Sequence, residues 1–399
     1  MPARPARCVL VAAALALSAA ALAPASAAAS QHGDGKDHDP GSLTYAVYGD
    51  APYGSSPTDT SETDATPGFI RAVNADKAVS AVLHVGDIHS GSQYCTQAYD
   101  QQVADLWAGF ADPMIYTPGD NEWSDCHKKK EGGGSYNAAT GQIDYVKDAE
   151  GNLVNYAGGN PVDNLAMVRS IFFARPGGTL GSGRLKVLSQ AQVDNHAHPT
   201  DGQYVENVMW ERDGVLFATL NVPGGSNNDA DPWYAAPTAT PQQTTEAANR
   251  TGAALRWLDR AFTTAIKTHA RSVVVMTQAD MWDLDGKEVS HLTNYEPIVN
   301  SLATHTQAIG KPVLLLNGDS HVYRSDNPLQ KASPCTGDED VCSYDDWISH
   351  PSYDVSNFHR TVVHGSTIPL EYLRLRVNSK NQPSTATSFG PFSWQRVTQ

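Results

Sequence analysis

Between residues 43 and 399 the chain alternates short apolar runs with longer stretches in which apolar residues recur at helical spacing. Short apolar runs that end at polar turn residues are typical of strands. Such runs occupy 43–48, 81–85, 114–117, 272–276 and 313–316, with a hairpin at 205–210 and 214–222 and strand-like runs at 360–364 and 372–377. Helical spacing predicts helices over 69–78, 99–110, 162–174, 244–269 and 295–308.

The order of these elements predicts the fold class. Strands that alternate with helices favour an α/β fold, and strands that are apolar throughout are expected to be buried on both faces. Residues 124–160 are polar and glycine-rich, and we expect them to be irregular. The longest predicted helix, 244–269, has one apolar face, made by Leu255, Leu258, Phe262 and Ile266.

The N-terminal segment differs in kind from the rest of the chain. Arg4 and Arg7 precede an alanine-rich apolar run, and small residues follow it at 24–27. This pattern is typical of a secretory signal peptide. A membrane anchor is the alternative, but the run is shorter and less apolar than the roughly 20 residues a span needs. We therefore predict a signal peptide at 1–29, a flexible leader at 30–42, a single domain at 43–399, and a secreted protein without a stable membrane anchor.

Charge and cysteine content narrow the possible partners and the compartment. The formal net charge of −15 disfavours binding to nucleic acid. Cys8 lies in the predicted signal peptide, and an even number of cysteines remains, which favours disulfides in an exported protein. The expected pairs are Cys95 with Cys126, which each follow a Gly-Asp turn, and Cys335 with Cys342, which closes a short loop.

Polar turns follow five of the predicted strands, and they carry the candidate chemistry. These turns contain Asp50, Asp87, Asp120, Gln278 and the run Asp319-Ser320-His321. Ligands of open α/β sheets bind beyond the carboxyl ends of the strands, so we expect these side chains to share a crevice. Carboxylates held close together repel and require cations or protons. A pair of divalent ions would satisfy this requirement and could promote phosphoryl transfer.

In these turns the sequence resembles the calcineurin-like metallophosphoesterase family, which includes purple acid phosphatases. The family pattern runs Asp-x-His, Gly-Asp, Gly-Asn-His-Asp/Glu, a mid-chain His, and Gly-His-x-His, and the match covers about residues 43–325 in the same order. The resemblance implies a four-layer α/β sandwich with two central mixed sheets and a dinuclear metal site. It also implies a small phosphate-ester substrate.

Several positions of the motif depart from the family. Asp50 and Asp87 match the first and the bridging aspartate, but Pro52 stands at the first histidine. Asp120 replaces an asparagine, and Asn121 replaces the histidine that follows it.

In the later motifs, oxygen-donor residues again stand where the family has histidines. Gln278 stands at the mid-chain histidine, Asp319 replaces the first histidine of the last motif, and His321 matches the second. On this resemblance one ion would contact Asp50, Asp87 and His321, and the other Asp87, Asp120, Gln278 and Asp319. Oxygen donors favour Mg²⁺, Mn²⁺ or Ca²⁺ at the second position, whereas Fe or Zn could occupy the first.

Three further residues are candidates for catalysis. Glu122 matches the acidic position of the third motif, and Arg324 is a candidate phosphate contact close to His321. Asn121 occupies the position of the missing histidine. Without that histidine we expect weaker protonation of the leaving group, and general acid catalysis contributes roughly 10²–10⁴-fold to the rate. His89 could replace the histidine lost at Pro52, although a hydrogen-bonding role in a turn is the more common one.

The predicted function is hydrolysis of phosphate mono- or diesters, with a metal-bound hydroxide attacking phosphorus. The alternative is a non-catalytic protein of the same fold that keeps a structural ion and binds an extracellular or cell-surface partner. A glycoside hydrolase with paired carboxylates is a third hypothesis. The sequence makes no prediction of oligomeric state.

Overall fold

The computed structural model describes residues 43–228, 231–284, 288–343 and 346–399. The predicted signal peptide and leader lie outside the described residues. The strands are β1 (Leu43–Tyr48), β2 (Val79–His84), β3 (Met114–Tyr116), β4 (Gly134–Asn137), β5 (Gln142–Tyr145), β6 (Leu188–Ser189), β7 (Val208–Arg212), β8 (Val215–Thr219), β9 (Ser272–Met276), β10 (Val313–Asn317), β11 (Arg324–Asp326), β12 (Thr336–Gly337), β13 (Phe358–Val362), β14 (Glu371–Val377), β15 (Ser388–Phe389) and β16 (Phe392–Thr398). The α-helices are α1 (Ser61–Ala75), α2 (Gln97–Trp107), α3 (Pro161–Phe172), α4 (Gly224–Asn228), α5 (Pro241–Lys267) and α6 (Glu296–Ile309).

Two mixed sheets organise these elements. The first has the strand order β15-β16-β14-β1-β2-β3, and the second has the order β12-β11-β13-β10-β9-β8-β7-β6. Within the first, β1, β2 and β3 are parallel. Within the second, β8, β9, β10 and β13 are parallel. The segment 124–160, expected to be irregular, contains the separate hairpin β4–β5.

Side-chain alternation along the strands builds the layers. Leu43, Tyr45 and Val47 of β1 join the core between the two sheets, which also contains Leu314 and Leu316 of β10. The intervening residues of β1 face a core shared with α1, α2 and α3, and those of β10 face α5 and α6. Because successive strand residues point to opposite faces, each sheet is buried on both sides. The predicted four-layer α/β sandwich with two central sheets is confirmed.

Helix α5 corrects one detail of the predicted apolar face. Leu258 and Phe262 are buried, but Ile266 is 54% exposed. Ala265 instead continues the buried stripe, at the i+7 position from Leu258. Ile266 lies at the edge of that stripe, one residue before the helix ends at Lys267.

The topology brings the carboxyl ends of the parallel strands together. The turn after β1 is bonded to the turn after β2, since Asp50 N donates to Gly86 O over 2.9 Å. In the second sheet, Gly318 N after β10 donates to Gln278 O after β9 over 3.1 Å. Among the described helices, none has the length and apolar character that crossing a membrane requires.

Candidate metal centre

Side chains from the polar turns of both sheets converge at the carboxyl ends of the strands. One ligand atom from each of Asp50, Asp87 and His321 lies within 4.8 Å of the others, and these residues are called the first trio below. The second trio is Asp87, Asp120 and Asp319, whose oxygens meet the same limit. Asp87 belongs to both trios, so the two trios share one carboxylate.

The backbone is strained where these ligand candidates lie. Asp50, Asp87, Asp319 and His321 have φ values of 49°, 59°, 79° and 62°. Non-glycine residues rarely adopt this left-handed region. Each such residue costs roughly 1–3 kcal/mol, and the conformation persists only where the surrounding structure enforces it. Neighbouring glycines permit the close approach, because a Cβ on Gly119 would overlap Oδ1 of Asp87. Concentrated strain of this kind is typical of functional sites.

Burial makes the cluster of carboxylates electrostatically costly. Asp50 and Asp87 are 0% and 1% exposed. Burial first, and then the charges of Asp120 and Glu122, raise the pKa of Asp87 well above its ordinary value. Burial, followed by the charge of Asp125, raises the pKa of Asp120 to about 7. A cation placed among these oxygens would oppose both effects and favour the ionised carboxylates.

Asp87 is held by two residues of the surrounding loops. The hydroxyl of Tyr53 donates to Asp87 Oδ2 over 2.8 Å. The amide of Asn121 donates to the same oxygen over 3.3 Å and to the Tyr53 oxygen over 3.0 Å. The Tyr53 ring also meets the ring of His321 edge-on, with 5.1 Å between centroids. Tyr53 and Asn121 therefore orient Asp87, and Tyr53 also contacts the neighbouring imidazole.

Gln278 lies in the middle of the second trio, but its oxygen does not face the carboxylates. Its Nε2 is 3.0 Å from Asp87 Oδ2, 2.9 Å from Asp120 Oδ1 and 3.0 Å from Asp319 Oδ1. Its Oε1 accepts a hydrogen bond of 2.5 Å from Gly224 N. In this arrangement the amide nitrogen faces the carboxylates, whereas the oxygen that we expected as a metal ligand is turned to Gly224.

The structure places Glu122 behind the site. Glu122 is fully buried, and its Oε1 accepts from Gly119 N over 2.6 Å and from the Tyr116 hydroxyl. It thus shapes the turn that contains Asp120, and it does not line the cavity at the trios.

Arg324 also lies away from the trios, contrary to the expected phosphate contact. Its guanidinium is 2.8 Å from Asp326 and 2.9 Å from Asp346, and Arg360 pairs with both of these carboxylates. These ion pairs keep the Arg324 charge outside the cavity lining. Proximity to His321 in the sequence was misleading, because β11 turns away into the second sheet.

An open cavity of about 350 Å³ gives access to the cluster. Asp87, Asp120, Asn121, Asp319 and His321 line one part of it, and Lys128 and Lys130 line another. Lys128 is paired with Asp125, whereas the side chain of Lys130 is exposed. Two lysines that follow the turn containing Asp120 thus border the site.

Two histidines near the site have structural contacts. His89, considered as a substitute ligand, is buried against the ring of Tyr99, and neither trio includes it. His84, which sequence reasoning missed, accepts from Gly86 N at Nδ1 over 3.1 Å and lies 2.8 Å from Ala51 O through Nε2. His84 therefore joins the turn after β1 to the turn after β2. Its position in a predicted strand, two residues before Gly86-Asp87, is the only sequence signal for this role.

The expected disulfides are present. Cys95 and Cys126 have Cα atoms 5.7 Å apart, and Cys335 and Cys342 have Cα atoms 5.6 Å apart. The first bond ties the loop after β2 to the loop after β3, and its two sulfur atoms lie 3.2 Å and 3.6 Å from the backbone oxygen of Asn121. Disulfides are typical of proteins in oxidising compartments outside the cytosol.

Comparison with known proteins gives a distant likeness of fold. No protein-family model and no curated sequence matches the chain. One solved structure with a similar fold is a purple acid phosphatase from yellow lupin (Lupinus luteus) seeds, with 11% identity and a TM-score of 0.40. The similarity covers 90% of this chain and 54% of the lupin chain, so this chain spans about half the length of that protein. No residue role follows from a likeness this distant.

Proposed function

We propose that the protein is a secreted, metal-dependent hydrolase of phosphate mono- or diesters. The observation that carries the proposal is the convergence of Asp50, Asp87 and His321, from three strand ends of two sheets, next to an open cavity that Asp87 and His321 line. Oδ2 of Asp50 is buried and has no hydrogen-bond partner among the described residues. Buried carboxylate oxygens without partners are costly, and a cation would satisfy this one.

The donor set of the first trio fits a divalent metal ion. Two carboxylates and an imidazole are ligands found with Zn²⁺, Mn²⁺ and Fe. A bound ion would supply Lewis-acid polarisation of a phosphoryl oxygen and would acidify a water molecule. Tyr53 and Asn121 would keep the Asp87 carboxylate oriented for the ion, as outer hydrogen-bond partners do in metal sites.

The cavity also carries groups suited to an anionic substrate. Lys130 is exposed at the lining, and it would attract a phosphate into a cavity whose charged lining residues are mostly aspartates. Asn121 has no titratable proton, and its amide already contacts Tyr53 and Asp87. We therefore infer that esters with good leaving groups, such as aryl phosphates, are hydrolysed faster than alkyl esters, because the leaving oxygen of an aryl ester needs little protonation.

The second candidate function is non-catalytic ion binding with recognition of an extracellular partner. The position of Asn121 favours it, because an amide at that point cannot act as a general acid. Such a protein would gain thermal stability from the ion and would hydrolyse no phosphate ester.

A direct assay separates the two candidates. The purified chain would be tested on p-nitrophenyl phosphate and bis-p-nitrophenyl phosphate with Mg²⁺, Mn²⁺, Ca²⁺, Fe²⁺ or Zn²⁺. We expect turnover that Asp87→Asn abolishes and that Asp259→Asn, a matched change on α5 at a 68% exposed side chain, leaves unaltered. Ion-dependent stabilisation without turnover in either protein would refute hydrolysis and favour the non-catalytic function.

A further inference from the structure

The Gln278 amide occupies the centre of the second trio, where the resemblance predicts a second ion. Gln278 is fully buried. Its Nε2 lies within 3.0 Å of a carboxylate oxygen from each member of that trio. The amide nitrogen carries two hydrogens, so it can donate to two of these oxygens at a time and remains close to the third.

Gly224 determines which end of the amide faces the carboxylates. The backbone N–H of Gly224 can only donate, and it meets Gln278 Oε1 over 2.5 Å. Carboxylate oxygens accept, so the nitrogen must face them. A reversed amide would leave the buried Gly224 N–H without an acceptor, which is unfavourable. The close approach requires glycine, because a Cβ there would lie 2.5 Å from Asp120 Oδ2 and 2.6 Å from Asp319 Oδ1.

The two trios therefore differ in how well their oxygens are satisfied. In the second trio the Gln278 amide faces all three carboxylates, and Asp87 Oδ2 also accepts from Tyr53 over 2.8 Å. In the first trio, Asp50 Oδ1 accepts from Asp319 N over 2.9 Å, but Oδ2 has no partner among the described residues. The buried carboxylate oxygen that lacks a hydrogen-bond donor is therefore at the first trio.

We propose that the centre binds a single divalent cation at Asp50, Asp87 and His321, and that the Gln278 amide, held by Gly224, takes the place of a second ion. The inference rests on the proposed function for the ion at the first trio. It differs from that function in stating how many ions bind and which side chain excludes the second.

Metal content tests the inference independently of activity. The purified chain would be stripped with chelator, equilibrated with Mn²⁺ and desalted, and its bound ions counted by elemental analysis. We expect one ion per chain in the wild type and in Asp120→Asn, and none in Asp50→Asn. Gln278→Glu removes the donors, keeps an acceptor for Gly224, and should admit a second ion.

The paramagnetic resonance spectrum of the bound Mn²⁺ gives a second readout that needs no Gln278 variant. The wild type should show isolated Mn²⁺ rather than an exchange-coupled pair. Two ions in the wild type, with one lost in Asp120→Asn, would overturn the inference and leave the proposed function intact. A folded Gln278→Glu variant that still binds one ion would also overturn it. A wild type that binds no ion would overturn the proposed function itself.

Discussion

The hydroxyl of Tyr53 donates a 2.8 Å hydrogen bond to Oδ2 of Asp87, the aspartate that both trios share. Tyr53→Phe removes this bond and leaves the ring contact with His321. Hydrogen bonds that orient metal ligands are worth about 10- to 100-fold in ion affinity. We therefore expect Mn²⁺ affinity, measured by calorimetry, to fall by roughly that factor.

The matched control is Tyr372→Phe, which removes a hydroxyl bonded to Asp76 over 3.3 Å at a distance from the trios. It should leave Mn²⁺ affinity unchanged. Equal affinities in the wild type and Tyr53→Phe would show that Asp87 keeps its orientation without the tyrosine.

His84 should make the protein less stable in mild acid. Gly86 N donates to Nδ1, so Nε2 carries the hydrogen of the neutral ring and donates to Ala51 O. Burial lowers the pKa of His84 to about 3, from an ordinary value of 6.5. Because the unfolded chain binds the proton more readily, stability is lost as the pH falls below about 6.5 toward 3.

The pH dependence of the unfolding free energy, measured by urea titration, tests this prediction. Between about pH 4 and 6, His84 should contribute roughly 1.4 kcal/mol per pH unit to the slope. His84→Gln should reduce the slope by about that amount. His196→Gln, at a 93% exposed side chain, is the control and should leave the slope unchanged. An unchanged slope in His84→Gln would contradict the prediction.

The two disulfides should differ in their contributions to stability. Cys95–Cys126 closes a separation of 31 residues and Cys335–Cys342 one of 7. Loop entropy in the unfolded chain predicts roughly 4 kcal/mol for the first bond and about 2 kcal/mol for the second. Replacing each pair by serines and comparing denaturation midpoints tests the order, and a larger loss at the shorter loop would oppose it.

Arg360 should be essential for the stability of the second sheet. It is fully buried and pairs with Asp280, Asp326 and Asp346. Arg360→Met would leave Asp326 and Asp346 to Arg324 alone and would remove the ion pair of Asp280 with Arg360. Breaking a buried pair costs about 3–5 kcal/mol. Chemical denaturation measures this loss directly.

Arg374→Met is the matched control for Arg360. Arg374 pairs with Asp76 over 2.8 Å, but its side chain is 39% exposed. Solvent screening limits such a pair to about 1 kcal/mol or less. A loss at Arg360→Met no larger than this would mean that the buried network relaxes around the missing charge.

Prediction from sequence succeeded where local pattern decides the structure. Strands β1 and β9 have the predicted bounds, because apolar runs end sharply at polar turns. The pattern did not reveal β6, β11, β12, β15 or β16. Four of these strands have two or three residues, which is too short for a periodic pattern to show. Ile266 was assigned to the wrong side of its helix because its neighbours in space were not known.

The sequence by itself determined that carboxylates follow buried strands, since each Gly-Asp turn comes directly after an apolar run. Only the tertiary structure decided which atoms those carboxylates meet. The orientation of the Gln278 amide depends on Gly224, 54 residues away, and the contacts of Asp87 with Tyr53 and Gln278 span 34 and 191 residues. Hydrogen-bond direction and charge balance arise between segments that the fold brings together, and no local pattern encodes them.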